Sequence, residues 1–540
     1  MFGQEVNGMR EKSLDLSADV LVIGGGPAGA WAAITAARKG AQVVLADKGY
    51  CGTSGATAPS GTGVWYVKPE AAAREEAKRS RYFLGGQLAD AQWMNRVLDQ
   101  TYDNMGMLAE WGYPFPEDGL GQQHRRGLQG PEYMRLMRKT VKRAGVRILD
   151  HSPALELLAD EYGVGGAAGV RSRTGQTWSV RAAAVVIATG GCAFLSKALG
   201  CNVLTGDGYL MAAEAGAEFS GMEFSNAYGI SPAFASVTKT AYYQYASFYY
   251  EDGSLVEGAA SKQGRSIIAR NLLAGQQVYA RLDLAPEEIR PLLRVGQSNF
   301  FLPFDRCGID PFHDFFPVTL RLEGTVRGTG GIHIIDASCA TKVPGLYAAG
   351  DAATRELICG GFTGGGSHNA AWAMSSGSFA GDGASEYARR LGPRAYQRRV
   401  KGLSALSLPL DSRDSKRRGY TPEQYVKAVQ EEVMPYDRNL FRSEAGLKAS
   451  LARLEQVWHT LRKDCAGWDR EGVKLREAAA MTATARWMYQ SALARRESRG
   501  MHKRDDYPQL DQAQHHRLIT WGLDEISVRP EPIGKEAVLQ

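Results

Sequence analysis

The chain has 540 residues, 44% hydrophobic and 23% charged, with a formal net charge of +6. That length exceeds what one hydrophobic core serves and predicts two or three domains. The composition is that of a soluble globular protein; the mild positive charge is compatible with an anionic substrate, and the basic residues form no aromatic-interleaved element of the kind that binds nucleic acid. No apolar run reaches membrane-spanning length, and the polar start, residues 1–17, is not a signal peptide. The seven cysteines (51, 192, 201, 307, 339, 359 and 465) form no CxxC pair. Such an odd, unpatterned set predicts reduced thiols in the cytoplasm, with no iron–sulfur cluster or structural zinc held by this chain alone.

Residues 1–17 read as a flexible lead. From Ala18 to Asp47 an apolar run, Val20–Ile23, precedes Gly24-x-Gly26-x-x-Gly29, an alanine-rich helix and a second apolar run ending in Asp47. Gly24 permits the tight turn, Gly26 lets backbone approach a pyrophosphate, and Gly29 lets helix pack on strand. The helix N-terminus offers free N–H groups and a positive dipole end to phosphates. Asp47 stands where an acid takes ribose hydroxyls. Together these predict a dinucleotide site. The small-residue loop Cys51–Gly63 follows; its backbone can crowd around a planar ring or a phosphate, and we read it as cofactor contact.

Residues 70–145 are helical in pattern. Val146–Leu149 and Ala154–Leu158 read as strands, Gly169–Arg173 and Thr177–Val180 as a hairpin about Thr174-Gly175, and Ala182–Ala188 as a strand returning to the nucleotide sheet. A turn at Gly206-Asp207-Gly208 leads into a helix. From Ser220 to about Gly324 the chain is aromatic and tyrosine-rich, which predicts an inserted domain, with Tyr242–Tyr250 as its core. Pro344–Asp351 reads as a strand ending in Gly-Asp, and the glycine-rich loop 360–366 leads into a helix over Asn369–Tyr387. Leu447–Leu461 and Glu477–Ala494 have helical periodicity, followed by an irregular tail.

These pieces, in this order, resemble the flavoprotein subunits of succinate dehydrogenase and fumarate reductase, with L-aspartate oxidase and the adenylylsulfate reductase alpha subunit. The matching stretches are Gly24–Gly29, Asp47-Lys48, Ala188–Gly191, Thr205–Gly208, Gly330–Ile332, Gly345–Asp351 and Arg495–Pro508. The resemblance implies an α/β fold: a Rossmann-like FAD-binding domain in two segments (18–225 and 325–395), an inserted α+β capping domain (226–324) and a helical C-terminal domain (396–540). It implies FAD contacts at Gly24, Gly26, Pro27, Ala28, Gly29, Asp47 and Lys48, at Thr53, Ser54, Gly55 and Gly61, at Ala188, Thr189, Gly190 and Asp207, and at Gly350, Asp351 and Ser367.

The departures from that family bear on the substrate. Covalent-FAD members carry a histidine after the second strand; the loop here, Thr53–Thr57, has none, so FAD is expected to be non-covalent. A substrate-facing histidine is replaced near Tyr228, a second by Val326-Arg327, and a catalytic arginine by Gly364. Gln263-Gly264-Arg265-Ser266 keeps the arginine that handles the substrate proton or binds an anion. The loop Thr363–Gly377 looks most like adenylylsulfate reductase, and His368 is expected to face the flavin there. The resemblance thus implies a cytoplasmic FAD-dependent oxidoreductase acting on a small anionic molecule through Arg265, His368, Tyr228 and Arg327. Electrons would pass to a separate acceptor such as a ferredoxin-like iron–sulfur subunit. The alternatives are an adenylylsulfate-reductase-like or dicarboxylate enzyme, or a non-enzymatic electron-relay subunit.

Overall fold

The strand Leu14–Ile23 lies inside an eight-stranded sheet, and everything at the nucleotide end is placed from it. The computed structural model describes residues 13–117, 121–363, 367–404, 420–464 and 469–534. The strand begins at Leu14, so the last part of the expected flexible lead is sheet. Its alternation explains this: Leu14 and Leu16 turn inward while Asp15 accepts a hydrogen bond from Ser179 at 2.7 Å. On one side the strand pairs in parallel with Val43–Ala46, which pairs in turn with Arg147–Leu149. On the other side it pairs in parallel with Thr177–Ile187.

Thr177–Ile187 is one continuous strand, where the sequence suggested two. Its first half pairs antiparallel with Gly163–Val170, and its second half pairs in parallel with Leu346–Ala348. Leu14–Ile23 runs beside both halves, so the ladder holds the strand straight past Arg181. Gly163–Val170, rich in glycine and alanine, pairs also with Ala154–Asp160. Weak intrinsic strand preference hid its first half; neighbours on both sides override that.

The helix Pro27–Arg38 starts with proline at its first turn and has no side-chain cap at Gly26. It packs against the helix Ser367–Leu391 through small residues. A Cβ on Gly377 would meet the Ala28 carbonyl oxygen at 2.4 Å, and one on Gly29 would lie 1.8 Å from the Gly24 carbonyl oxygen. Both glycines therefore serve close backbone approach.

A second sheet is antiparallel, in the order Ala227–Pro232, Phe316–Gly324, Val278–Arg281, Ser247–Tyr249. Phe300, Phe301, Phe304 and Phe316 fill its interior. Tyr242 and Tyr243 pack edge-on against Phe300, so the aromatic run is core.

Helices Pro422–Val433, Glu444–Asp464 and Arg470–Ala494 pack together toward the C-terminus. The expected irregular tail contains a hairpin, His516–Trp521 with Ser527–Pro532, turned at Gly522 (φ 95°). Its first strand pairs with Phe219–Ser220, stitching the tail to the middle of the chain. Between helix and hairpin lies a buried ion-pair chain. Glu497 accepts from Arg495 at 2.9 Å and from Arg499 at 2.6 Å, and Arg495 reaches Glu223 at 2.7 Å. Among the described residues, no helix is long and apolar enough to cross a membrane.

Removing one member of a buried ion pair leaves a desolvated charge uncompensated. Glu497→Ala is therefore expected to lower stability by about 3–5 kcal/mol, read as a shift of the urea unfolding midpoint. An unchanged midpoint would show that the network contributes nothing to holding the tail.

Candidate active site

The first cavity, about 230 Å³, opens at the carboxyl ends of the parallel strands, where such sheets bind ligands. Gly24, Gly26, Pro27 and Ala28 line it from the first turn and helix. A Cβ at Gly26 would meet nothing within 4 Å, so the backbone there is open to a close approach from the cavity. Asp47 accepts from the Gly25 amide at 2.6 Å and from Ser54 Oγ at 2.8 Å. Lys48 binds Asp207 and Glu477, each at 2.7 Å. Uncapped helix N-terminus, buried acid and open glycine cradle suit the pyrophosphate and ribose of a dinucleotide.

Ser54, Gly55, Gly61, Ala188, Thr189, Gly190, Asp207, Gly350 and Asp351 also line this cavity, as does Arg327. Three expected contacts lie off its wall. Gly29 packs beneath the turn, Thr53 donates to the Tyr50 carbonyl at 3.5 Å, and Ser367 accepts from the Trp65 amide at 3.1 Å. Sequence reasoning missed Lys239, Thr240 and Ala241, which reach in from beside the second sheet, and Tyr133 and Asn369. Nothing in the local sequence marks the first three, since their place depends on how the inserted sheet docks. Asn369 lies in the first turn of the helix Ser367–Leu391 and donates to the Val326 carbonyl at 2.9 Å.

A second cavity, about 110 Å³, has Tyr228, Arg265, Arg327 and Glu323 on its wall. Arg327 lines both cavities. Arg265 sits in the first turn of the helix Gly264–Leu273, and its Nε is buried with no hydrogen-bond partner. Burial, and then the neighbouring Arg327, pull its pKa down to about 10, which leaves it charged at neutral pH. Glu323 is fully buried and accepts from Thr238 at 2.8 Å, Arg327 at 3.0 Å and Lys239 at 3.1 Å. Burial alone would raise this carboxyl, but Lys239 and Arg327 outweigh it and hold it at about 2. The Tyr228 hydroxyl donates to the carbonyls of Val433 and Met434 at 3.0 and 3.1 Å, so it ties down the C-terminal region.

His368 lines neither cavity. It is fully buried, with its ring centroid 4.7 Å from that of Trp65. Nδ1 lies 3.1 Å from the Thr363 carbonyl, which only accepts, so Nδ1 carries the proton and Nε2 has no partner. Burial, reinforced by Arg81, lowers its pKa to about 3 and keeps it neutral. Gly364 lies outside the described residues.

The FAD binding domain family matches residues 19–227, and the fumarate reductase flavoprotein C-terminal family matches residues 428–538. The chain is 26% identical over 557 residues to L-aspartate oxidase of Streptomyces coelicolor, spanning 94% of this chain and 92% of that one. It is 26% identical over 571 residues to the fumarate reductase flavoprotein subunit of Mycobacterium tuberculosis, spanning 91% and 92%. Its fold matches the quinol fumarate reductase FrdA of E. coli with a TM-score of 0.81, at 20% identity, over 97% and 99% of the two chains. The chain belongs to the fumarate reductase and succinate dehydrogenase flavoprotein family. It is an FAD-dependent oxidoreductase.

Between the flavoprotein's FAD-binding and C-terminal parts lies a pair of buried carboxyls, Glu223 and Glu356. Ser220 donates to Glu356 Oε2 at 2.5 Å, while Glu356 Oε1 and Glu223 Oε2 have no partner. Burial, and then the Glu223 charge, raise the Glu356 pKa to about 7. A carboxyl raised in the folded state binds its proton more tightly folded than unfolded. Stability from this group is therefore full below the ordinary value of 4.5 and is lost as pH rises through about 7. Glu356→Gln is expected to flatten the fall in melting temperature between these pH values. A wild-type melting temperature that does not fall over this interval would refute the raised Glu356 pKa.

Proposed function

We propose that this flavoprotein oxidises or reduces a small anionic substrate held in the second cavity by Arg265 and Arg327, beside a non-covalently bound FAD. The observation that carries this reading is that Arg327 lines both cavities while the neighbouring Arg265 guanidinium has a buried, unpartnered Nε. Two cations in a low-dielectric wall with one carboxylate, Glu323, already engaged favour an incoming anion. FAD, when bound, supplies the two-electron chemistry. Arg265 and Arg327 orient the substrate's anionic group, and an arginine fork gives that group a fixed geometry. Glu323 stays ionised and keeps Arg327 aimed. The engaged Tyr228 hydroxyl supports the wall, and neutral His368, outside it, holds the Thr363 carbonyl.

Non-covalent attachment is supported by the first cavity's lining, which has no histidine or cysteine among the described residues. Its Tyr133 hydroxyl accepts from Trp31 Nε1 at 2.8 Å, and burial holds its pKa well above the usual range. The second sheet, entirely within 227–324, supports reading 226–324 as the cap, 18–225 and 325–395 as the FAD domain, and 396–540 as the C-terminal domain. The Mycobacterium tuberculosis relative is named a subunit. We extend that to this chain, with a ferredoxin-like iron–sulfur protein as electron partner, working in the cytoplasm.

Acid precipitation of the yellow protein is expected to leave the flavin in the supernatant; colour kept in the pellet would refute non-covalent binding. Small carboxylates and sulfur oxyanions should then be screened anaerobically for bleaching or reoxidation of the flavin. With the substrate so found, Arg265→Ala is expected to lower kcat/KM by about a hundredfold or more while the flavin spectrum is retained. Full activity in that variant would sink the assignment.

A further inference from the structure

The wall of the first cavity is electrically unequal along its length. At the end marked by Asp47 it carries one cation, Lys48, against two carboxylates, Asp207 and Glu477, each at 2.7 Å. At the end marked by Arg327 the balance reverses. Lys239 and Arg327 share the single carboxylate of Glu323, at 3.1 and 3.0 Å. Asp351, which feels Lys239 and Glu323, is itself paired with Arg355. Among the described residues, one positive charge at this end is thus left without a counter-charge, in an interior of low dielectric where charges act strongly on one another.

Lys239 lines the first cavity and not the second. Its ammonium donates to Glu323, to the Leu199 carbonyl at 3.0 Å and to Cys201 Sγ at 3.2 Å. All three N–H groups are engaged, so its place is fixed and it acts on an occupant of the cavity through its field. Burial by itself would lower its pKa, but Cys201 and Glu323 outweigh burial and hold it above the usual lysine value. The group therefore stays charged. Arg327 lines both cavities, and a substrate in the second meets the part of FAD beside Arg327. The redox-active ring accordingly belongs at the Lys239 end and the adenosine at the Asp47 end.

We propose that Lys239, carried in by the inserted segment, sets the reduction potential of the bound FAD. The ring accepts two electrons and one proton on reduction, which leaves it one unit more negative. A fixed positive charge nearby favours that form over the oxidised one. The placing of the ring rests on the reading of the second cavity as the substrate site; the effect of Lys239 on the potential goes beyond that reading and is measured without substrate.

The test uses the FAD-loaded full-length protein. Its midpoint potential is read from the flavin absorbance during equilibration with dyes of known potential. Lys239→Met and Lys239→Gln, both uncharged, are expected to shift the reduction equilibrium toward oxidised FAD by about ten- to a hundredfold, or about 30–60 mV for a two-electron couple. Lys239→Arg should stay within about twofold of the wild type. Lys239→Gln can still donate to Glu323 and the Leu199 carbonyl, so it carries the test should Lys239→Met fail to fold. Lost packing weakens oxidised and reduced FAD alike and leaves the potential where it was. That result in Lys239→Gln, or a Lys239→Arg potential lowered as far as that of Lys239→Gln, overturns the inference. Turnover of Arg265→Ala separates the two readings. An unmoved Lys239→Gln potential beside lost turnover removes the role of Lys239 alone. A lowered potential beside full turnover keeps that role and removes the substrate site, and an unmoved potential beside full turnover removes both.

Discussion

The buried carboxylate of Glu323 holds Lys239 of the nucleotide cavity and Arg327 of both cavities on one anion. In a low-dielectric interior such a group is tolerable only when fully paired, and its pairing fixes both cations. Arg355 completes the arrangement from behind. Its guanidinium donates to the carbonyls of Thr325 and Val326 at 2.9 and 3.2 Å and also to Gly328, while pairing with Asp351. The short segment carrying Arg327 is thereby clamped between the strand Phe316–Gly324 and the Asp351 turn. Docking of the second sheet and formation of the site are the same event.

The nucleotide end was legible because local sequence determines it. Strand, glycine turn, small-residue helix and Asp47 all act within thirty residues, each through backbone geometry that the residue type dictates. Residues set by long-range docking were not legible. Lys239, Thr240 and Ala241 stand in an unremarkable loop. The single strand Thr177–Ile187 escaped notice because its two halves have different partners. The start of sheet at Leu14 and the C-terminal hairpin escaped for a related reason: short alternating segments become strands only when a neighbour offers an edge. For His368 its position in the chain was readable, but its burial against Trp65 was not.

The polar groups around the second cavity have a common character. Where the resembled family carries a histidine, Val326-Arg327 stands here, and an arginine grips an anion with a planar fork that an imidazole lacks. His368 is neutral through burial and Glu323 remains ionised, so neither changes charge near neutrality. Arg265 likewise stays charged, so the contribution of Arg265 and Glu323 to this wall does not change near neutrality. The group raised into that interval, Glu356, lies away from the wall, next to Ser220.

The pairing of His516–Trp521 with Phe219–Ser220 spans about three hundred residues of chain, and Gly500–Lys503 closes a cavity whose other walls are made far earlier. On a ribosome, the glycine turn finds its first strand partners within two hundred residues, and the walls of its cavity are complete once Ala373 has been made. The second cavity has no such opportunity: its last wall exists only once Gly500–Lys503 has been made. Nascent chains fold N-terminal parts first, so the first cavity can take shape before the second is closed.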